Sequence, residues 1–208
     1  MRNMSLSYYR RRSKWLSYSI IDLLNENEAL AMLISALALA FIYSGFFSII
    51  RKGPYYFMIV LALTAPSFLI HELCHRQIAR RHGFYSKYVI FPMWFLISLL
   101  TAFFPFIRLI ALGSVVVYGY AISSRTYMKI ALAGPLSNMI MAALGIFLSS
   151  FTRYPLSLYL HMFSSINSWY AFFNLLPIPP LDGSKVFQTS IHVWLMAFLV
   201  SIILLMLT

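Results

Sequence analysis

The chain has 208 residues, of which 61% are hydrophobic and 10% are charged, and its mean hydropathy is +0.79. A soluble domain is about half apolar and about a quarter charged, so this composition excludes an ordinary soluble protein and predicts one membrane domain. The net charge of +11 comes without an RNA- or DNA-binding motif. We therefore attribute it to basic residues that flank membrane spans and contact anionic headgroups, and we expect no nucleic-acid partner.

Residues 1–28 are predicted to form an interfacial segment on the cytoplasmic face of the membrane. They begin with basic and aromatic residues and end in a polar stretch at 25–28. Residues 13–28 are too polar for the hydrophobic part of a signal peptide, so we expect no cleavable signal. The single cysteine, Cys74, excludes an intrachain disulfide.

The remaining chain, residues 29–208, is predicted to form a single all-α polytopic membrane domain with about five transmembrane helices. Each expected span is an apolar run long enough to cross a hydrocarbon core about 30 Å thick. In chain order these runs cover residues 29–50, 55–81, 126–150, 156–176 and 186–207.

Residues 88–124 are apolar but do not have the pattern of a simple span. The interruptions are Pro92, Pro105, Arg108, Gly113 and Gly119. Residues 114–118 are mostly β-branched and aromatic, as in a short strand. Irregular backbone is tolerated at membrane depth only where protein or a water-filled cavity satisfies it. We therefore predict a re-entrant, partly β segment beside such a cavity.

The placement of basic residues supports this path. With the N-terminus in the cytoplasm, the basic groups at 76–87, 125–129 and 185 all lie on the cytoplasmic side if the segment between the first two enters and leaves on one face. The alternative is a full crossing by residues 92–111. That crossing would move the second basic group outside, which the positive-inside rule disfavours.

The sequence His71-Glu72-Leu73-Cys74-His75 is a candidate metal site inside a hydrophobic helix. His71 and His75 are four residues apart, so they share a helix face and can bind one metal ion through imidazole nitrogen. Glu72 is offset by about 100° and can reach a water at the metal without being a ligand. This is the arrangement of zinc metalloproteases, in which the glutamate is the general base. The alternative is a helix end near headgroups, where such residues are tolerated.

The third metal ligand must come from another part of the chain, because a catalytic zinc usually has three protein ligands and one open position. The chain has only five acidic residues, and apart from Glu72 only Asp182 lies beside the later apolar runs. The prolines before Asp182 prevent a regular helix and open a polar cavity, and Gly183 leaves room near the metal. The alternative role of Asp182 is the N-cap of the last span, and the two roles can coexist.

Three segments resemble the site-2 protease family of intramembrane zinc metalloproteases in their order and spacing. They are residues 71–75, Ala133-Gly134-Pro135-Leu136-Ser137-Asn138, and Asn174-Leu175-Leu176-Pro177 followed by Leu181-Asp182-Gly183. The resemblance covers residues 55–188. Within this range, residues 91–94 and 112–115 are similar to the archaeal branch of the family. Leu112-Gly113 stands where that branch has a Pro-Gly pair. From the length we expect none of the PDZ or CBS modules that some members of that family carry.

The resemblance implies that His71, His75 and Asp182 hold Zn²⁺ and that Glu72 is the general base. It also implies that Asn174 helps to bind substrate or to stabilise the oxyanion, and that Asn138 lies near the site in the same role. An inward-facing amide donor at Asn174 is reasonable, because this residue lies eight positions before Asp182 in a broken helix. The alternative is that both asparagines form hydrogen bonds between spans.

The predicted function is zinc-dependent hydrolysis of peptide bonds in or near the transmembrane segments of a substrate protein. The expected location is the plasma membrane, with the lipid bilayer around the protein and the active site nearer to the cytoplasmic side. One alternative is a non-catalytic metal-binding protein, such as a transporter or a scaffold. Another is a zinc hydrolase that acts on a lipidated or C-terminal peptide. The sequence makes no prediction of the oligomeric state.

Overall fold

The computed structural model describes residues 24–208 except for residues 105, 107 and 120. The predicted interfacial segment therefore lies outside the described residues up to position 23. In the described part the helices are α1 (Glu28–Ser44), α2 (Phe46–Lys52), α3 (Pro54–Arg81), α4 (Pro92–Leu100), α5 (Ser124–Ser149), α6 (Leu156–Asn174), α7 (Asp182–Thr189) and α8 (Ile191–Met206). A short 3-10 helix covers Thr101–Phe103, and the strands are β1 (Tyr85–Ile90) and β2 (Gly113–Tyr118).

Two of the described helices, α3 and α5, are long and apolar enough to cross a membrane. Helices α1 and α2 would together make a third span, but the chain bends by 76° between them. The bend occurs at Gly45, whose φ of +70° favours glycine. The apolar run predicted over 29–50 is therefore present as two helices broken at Gly45, which can still form one bent span.

The other two predicted spans also differ from the expectation. Helix α6 contains the buried polar residues Ser164, Asn167 and Ser168, which lower its apolar character. The run predicted over 186–207 is divided at Ser190 into the short helix α7 and the 16-residue helix α8. By length and composition, the described helices therefore support two membrane spans, or three if α1 and α2 form one, rather than the predicted five.

The strand predicted at residues 114–118 is confirmed as β2, and it pairs with an antiparallel strand, β1, that the sequence analysis missed. The register runs from Tyr85 opposite Tyr118 to Ile90 opposite Gly113. This pairing brings the chain back to the end of the molecule from which it left. The segment between the strands thus follows the out-and-back path that was predicted for a re-entrant element.

The centre of the molecule consists of α3, α5 and α6, and α1 packs on the other side of α3. Close approach of α5 and α6 requires Gly145, because a Cβ atom there would lie 2.2 Å from Oγ of Ser164. The start of α1 is held to α3 by an ion pair between Glu28 and Arg76 at 3.6 Å. These contacts place the C-terminal half of α3 among three helices and the sheet.

Candidate metal centre

The two histidines predicted on one face of a helix lie in the C-terminal half of α3 and point the same way. Their Nε2 atoms are 3.0 Å apart. Both side chains are buried: His71 is 1% exposed and His75 is 4% exposed. Their spacing of four residues on a continuous helix is what brings the two rings together.

Nδ1 of each histidine ring lies within hydrogen-bond distance of an acceptor on α5. Nδ1 of His71 lies 2.5 Å from Oδ1 of Asn138, and Nδ1 of His75 lies 2.6 Å from the carbonyl oxygen of Ile130. A ring that donates from Nδ1 keeps the lone pair on Nε2 for a metal ion. Helix α5 therefore presents both histidines in the form that binds metal.

Asp182 completes the cluster from the other end of the sequence. Its Oδ2 lies 2.9 Å from Nε2 of His75 and 3.4 Å from Nε2 of His71. Asp182 is the first residue of α7, whose N-cap is Leu181, and no side chain caps that helix. The carboxylate of Asp182 therefore faces the two histidines and not the amides of the helix. The structure thus favours the ligand role over the capping role.

The chain can turn into this position because Gly183 has no side chain. A Cβ atom at Gly183 would lie 2.1 Å from the carbonyl oxygen of Leu175. The same carbonyl accepts a hydrogen bond from Nε1 of Trp194 at 2.8 Å. The loop after α6 is thus packed tightly against the start of α7, and this packing fixes the approach of Asp182.

The three residues fit a zinc ion. Ligand atoms about 2.0–2.1 Å from a tetrahedral zinc ion lie roughly 3.3 Å from one another, and the three separations here are 3.0, 2.9 and 3.4 Å. A Cβ atom at Gly134 would lie 2.2 Å from Nε2 of His75 and 2.6 Å from Nε2 of His71. Glycine therefore keeps open the space in front of the two donor nitrogens, and the buried donor set is one that holds Zn²⁺.

Glu72 lies beside the cluster without belonging to it. Its side chain is buried, and among the described residues its Oε2 has no hydrogen-bond partner. Together with His71, Asn174 and Asp182 it lines a cavity of about 30 Å³. A cavity of that size is large enough to hold a water molecule. The cavity thus brings together an acceptor oxygen, two candidate metal ligands and space for a water molecule.

A known protein shares most of this sequence. A protein of Methanocaldococcus jannaschii named putative zinc metalloprotease MJ0611 is 34% identical over 173 residues, which make up 82% of this chain and 88% of the relative. The chain belongs to the family of this zinc metalloprotease. Neither a family profile nor a solved structure matches it. The family membership and the buried donor set together support a zinc metalloprotease.

The two asparagines suggested by the resemblance have different surroundings in this metalloprotease family member. Asn174 lines the small cavity, and its Nδ2 donates to the carbonyl of Tyr170 at 3.0 Å. Asn138 is fully buried, with its Oδ1 on His71 and its Nδ2 bonded to Ser67 and Asn167. This arrangement favours the interhelix hydrogen-bonding role for Asn138, while the substrate role of Asn174 stays a prediction.

A larger cleft of about 480 Å³ also borders two of the three candidate zinc ligands. His75, Asp182 and Lys185 lie at one wall, and residues 115–117 of β2 form another. The cleft therefore connects one side of β2 with two of the candidate metal ligands.

Three polar residues at the site were missed by the sequence analysis. Lys185 donates to Oδ1 of Asp182 at 2.8 Å, and its spacing of three residues on a helix is a signal that could have revealed this contact. Ser67 and Asn167 contact Asn138 from two other helices. Their sequence separations of 71 and 29 residues leave no local pattern to read.

Proposed function

We propose that this protein is an intramembrane zinc metalloprotease of the site-2 protease type, which hydrolyses peptide bonds in or near the transmembrane segments of other proteins. The observation that carries the proposal is the place of the chemistry. His71, Glu72 and His75 lie in α3, one of the two described helices that are long and apolar enough to cross a membrane. A buried metal site inside such a helix is suited to substrates that reach it from the bilayer.

Different residues of the chain have different roles in the proposed reaction. His71, His75 and Asp182 would hold the zinc ion, which when bound activates water as a nucleophile near neutral pH and polarises a carbonyl oxygen. Glu72 accepts the proton of the attacking water and then donates it to the nitrogen of the leaving amine. Its unpartnered Oε2 and the adjoining cavity of about 30 Å³ support this role. Asn174, which lines that cavity, would bind the substrate carbonyl or stabilise the developing oxyanion.

The free edge of β2 offers a way to hold an unwound substrate. Phe91 donates to the carbonyl of Leu112 at 3.3 Å, which makes this a hydrogen-bonded pair in the antiparallel register. Hydrogen-bonded pairs alternate along such a ladder, so the backbone groups of Val115 and Val117 face away from β1. A helical substrate hides its peptide groups in its own hydrogen bonds. Pairing with Val115 and Val117 would stabilise the extended form that hydrolysis requires.

The proposal includes an orientation in the plasma membrane, with the N-terminus and the site on the cytoplasmic side. The pairing of β1 with β2 brings the basic end of α3 close to the start of α5, where Arg125 and Lys129 lie. Lys185 lies near the same end, because it lines one cleft together with Tyr127 at the start of α5. Basic residues concentrate on the cytoplasmic side of membrane proteins, and this rule supports the assignment.

The proposed function is tested with the full chain purified and reconstituted in liposomes. A panel of transmembrane segments flanked by soluble tags serves as substrate, and products are identified by mass spectrometry. We expect cleavage within or next to the apolar segment, its loss on zinc chelation and its return when Zn²⁺ is added. Glu72→Gln should bind zinc and fail to cleave. Wild-type rates in that variant, or cleavage restricted to soluble peptides, would contradict the proposal.

A further inference from the structure

A chain of buried polar side chains links α3, α5 and α6 behind the metal ligands. Its members are Ser67, Asn138 and Asn167, each of them fully buried, and it ends on His71. Buried polar groups in such a cluster must each find a partner of the right kind, because an unpaired donor or acceptor is costly there. The direction of every hydrogen bond can therefore be worked out from the groups that are able only to accept.

The direction of these hydrogen bonds is set at Ser67, whose side chain lies at the opposite end of the chain of hydrogen bonds from His71. Oγ of Ser67 lies 2.9 Å from the carbonyl oxygen of Leu63, which can only accept, so Ser67 donates its hydrogen there. Towards Asn167 the serine oxygen can then act only as an acceptor. Nδ2 of Asn167 donates to this oxygen at 2.9 Å and to the carbonyl of Phe163 at 2.9 Å. Two acceptors thus hold the amide nitrogen of Asn167 and turn its oxygen towards Asn138.

The hydrogen bonds from Asn167 to Asn138 and on to His71 have a fixed direction for the same reason. Oδ1 of Asn167 accepts from Nδ2 of Asn138 at 2.8 Å, and the second hydrogen of that nitrogen reaches the carbonyl of Ser67 at 3.1 Å. With its amide nitrogen committed twice, Asn138 faces Nδ1 of His71 with its oxygen, at 2.5 Å. His71 must then carry its proton on Nδ1 and leave Nε2 free.

We infer that Asn167 is a positioning residue for the metal site, although it lies two hydrogen bonds away from the ligand ring. By fixing the orientation of Asn138, it keeps His71 in the tautomer that presents a lone pair to the zinc ion. An Asn138 amide turned the other way would donate to Nδ1 of His71 and move the ring proton to Nε2, where it blocks metal binding. The inference rests on the metal site of the proposed function but not on peptidase activity.

The size of the expected effect follows from other metal sites. Partners that orient a ligating histidine typically change metal affinity by about 10- to 100-fold when they are removed. We expect Asn167→Ala to weaken zinc binding within that range and to leave metal-free His71 as a mixture of tautomers. The matched control is Ser168→Ala. This neighbour on α6 is equally buried, but among the described residues its Oγ has no hydrogen-bond partner.

The experiment uses the full chain labelled with ¹⁵N-histidine, in the metal-free form and at about pH 8. Long-range ¹H–¹⁵N spectra report the tautomer of His71, which is assigned by comparison with His71→Gln. Zinc affinity is measured by competition with a chelator. We expect a pure Nδ1–H form in the wild type and in Ser168→Ala, and mixed forms with weaker zinc binding in Asn167→Ala.

A folded Asn167→Ala protein with a pure Nδ1–H tautomer and zinc affinity within about twofold of the wild type would overturn the inference. If this variant does not fold, Ser67→Ala replaces it. Removal of Oγ leaves the Ser67 carbonyl in place but takes away one acceptor of Asn167, so a smaller shift towards mixed tautomers is expected, and no shift overturns the inference. A protein with these tautomers but no peptidase activity would contradict the proposed function alone.

Discussion

Lys185 donates a hydrogen bond from Nζ to Oδ1 of Asp182 at 2.8 Å, and this contact leaves Oδ2 as the carboxylate oxygen that faces the two histidines. The lysine lies one turn along α7 from the aspartate and is partly buried in the wall of the cleft. A cation on the outer oxygen holds the carboxylate in one orientation and favours a single metal–oxygen contact.

Loss of this contact should weaken metal binding. We expect Lys185→Met to lower zinc affinity by about tenfold, because Asp182 is then free to rotate and its outer oxygen has lost its donor. Competition with a chelator measures the change. Lys129→Met removes an exposed lysine on α5 and should leave the affinity unchanged. Equal affinities in both variants would show that Lys185 does not orient the ligand.

Gly134 should tolerate no side chain. A Cβ atom there would lie 2.2 Å from Nε2 of His75, in the space that the donor nitrogens require. We expect Gly134→Ala to reduce zinc affinity by more than about 100-fold, beyond the usual effect of a residue that only orients a ligand. The control is Leu136→Ala, which shortens an exposed side chain on the same helix. Zinc content after dialysis, measured by mass spectrometry, decides the outcome, and full occupancy in Gly134→Ala would contradict the assigned metal position.

Glu72 should affect catalysis and not metal binding. We expect Glu72→Gln to lower the cleavage rate by about 10²- to 10⁴-fold, the usual contribution of a general base, while zinc content stays the same. The exposed Glu26 provides the matched control, since Glu26→Gln makes the same change outside the site. Single-turnover assays on a transmembrane reporter measure the rate. A parallel loss of zinc would instead assign Glu72 to metal binding.

The two hydrogen-bonding edges of β2 should respond differently to proline substitutions. Val117→Pro removes an N–H from the free edge, so we expect cleavage to fall by about tenfold while the fold is kept, because one hydrogen bond to the substrate is lost. Val116→Pro removes an N–H that faces β1 and should lower the melting temperature instead. Val117→Ala controls for the lost side chain. Normal cleavage by Val117→Pro would rule out pairing at this edge.

Some of the architecture could be predicted because it depends on local patterns. The strand β2 followed from its run of β-branched residues, and helix α3 began and ended within one residue of the predicted limits. The strand β1 was missed because its alternation of exposed and buried residues contains Ser86 and Lys87, which resemble a loop. The break at Gly45 was missed because a single glycine within an apolar run does not reveal whether the chain bends there.

The metal chemistry could be predicted from the sequence alone, because the possible donors are few and specific. Two histidines four residues apart on a helix must share a face, and in a chain with five acidic residues Asp182 stood out as their partner. The orientation of the histidine donors, in contrast, depends on the tertiary fold. Asn138 and Asn167 orient His71 through hydrogen bonds that depend on the packing of α3, α5 and α6. Such contacts join positions far apart in the chain, and they exist only when the helices are packed together.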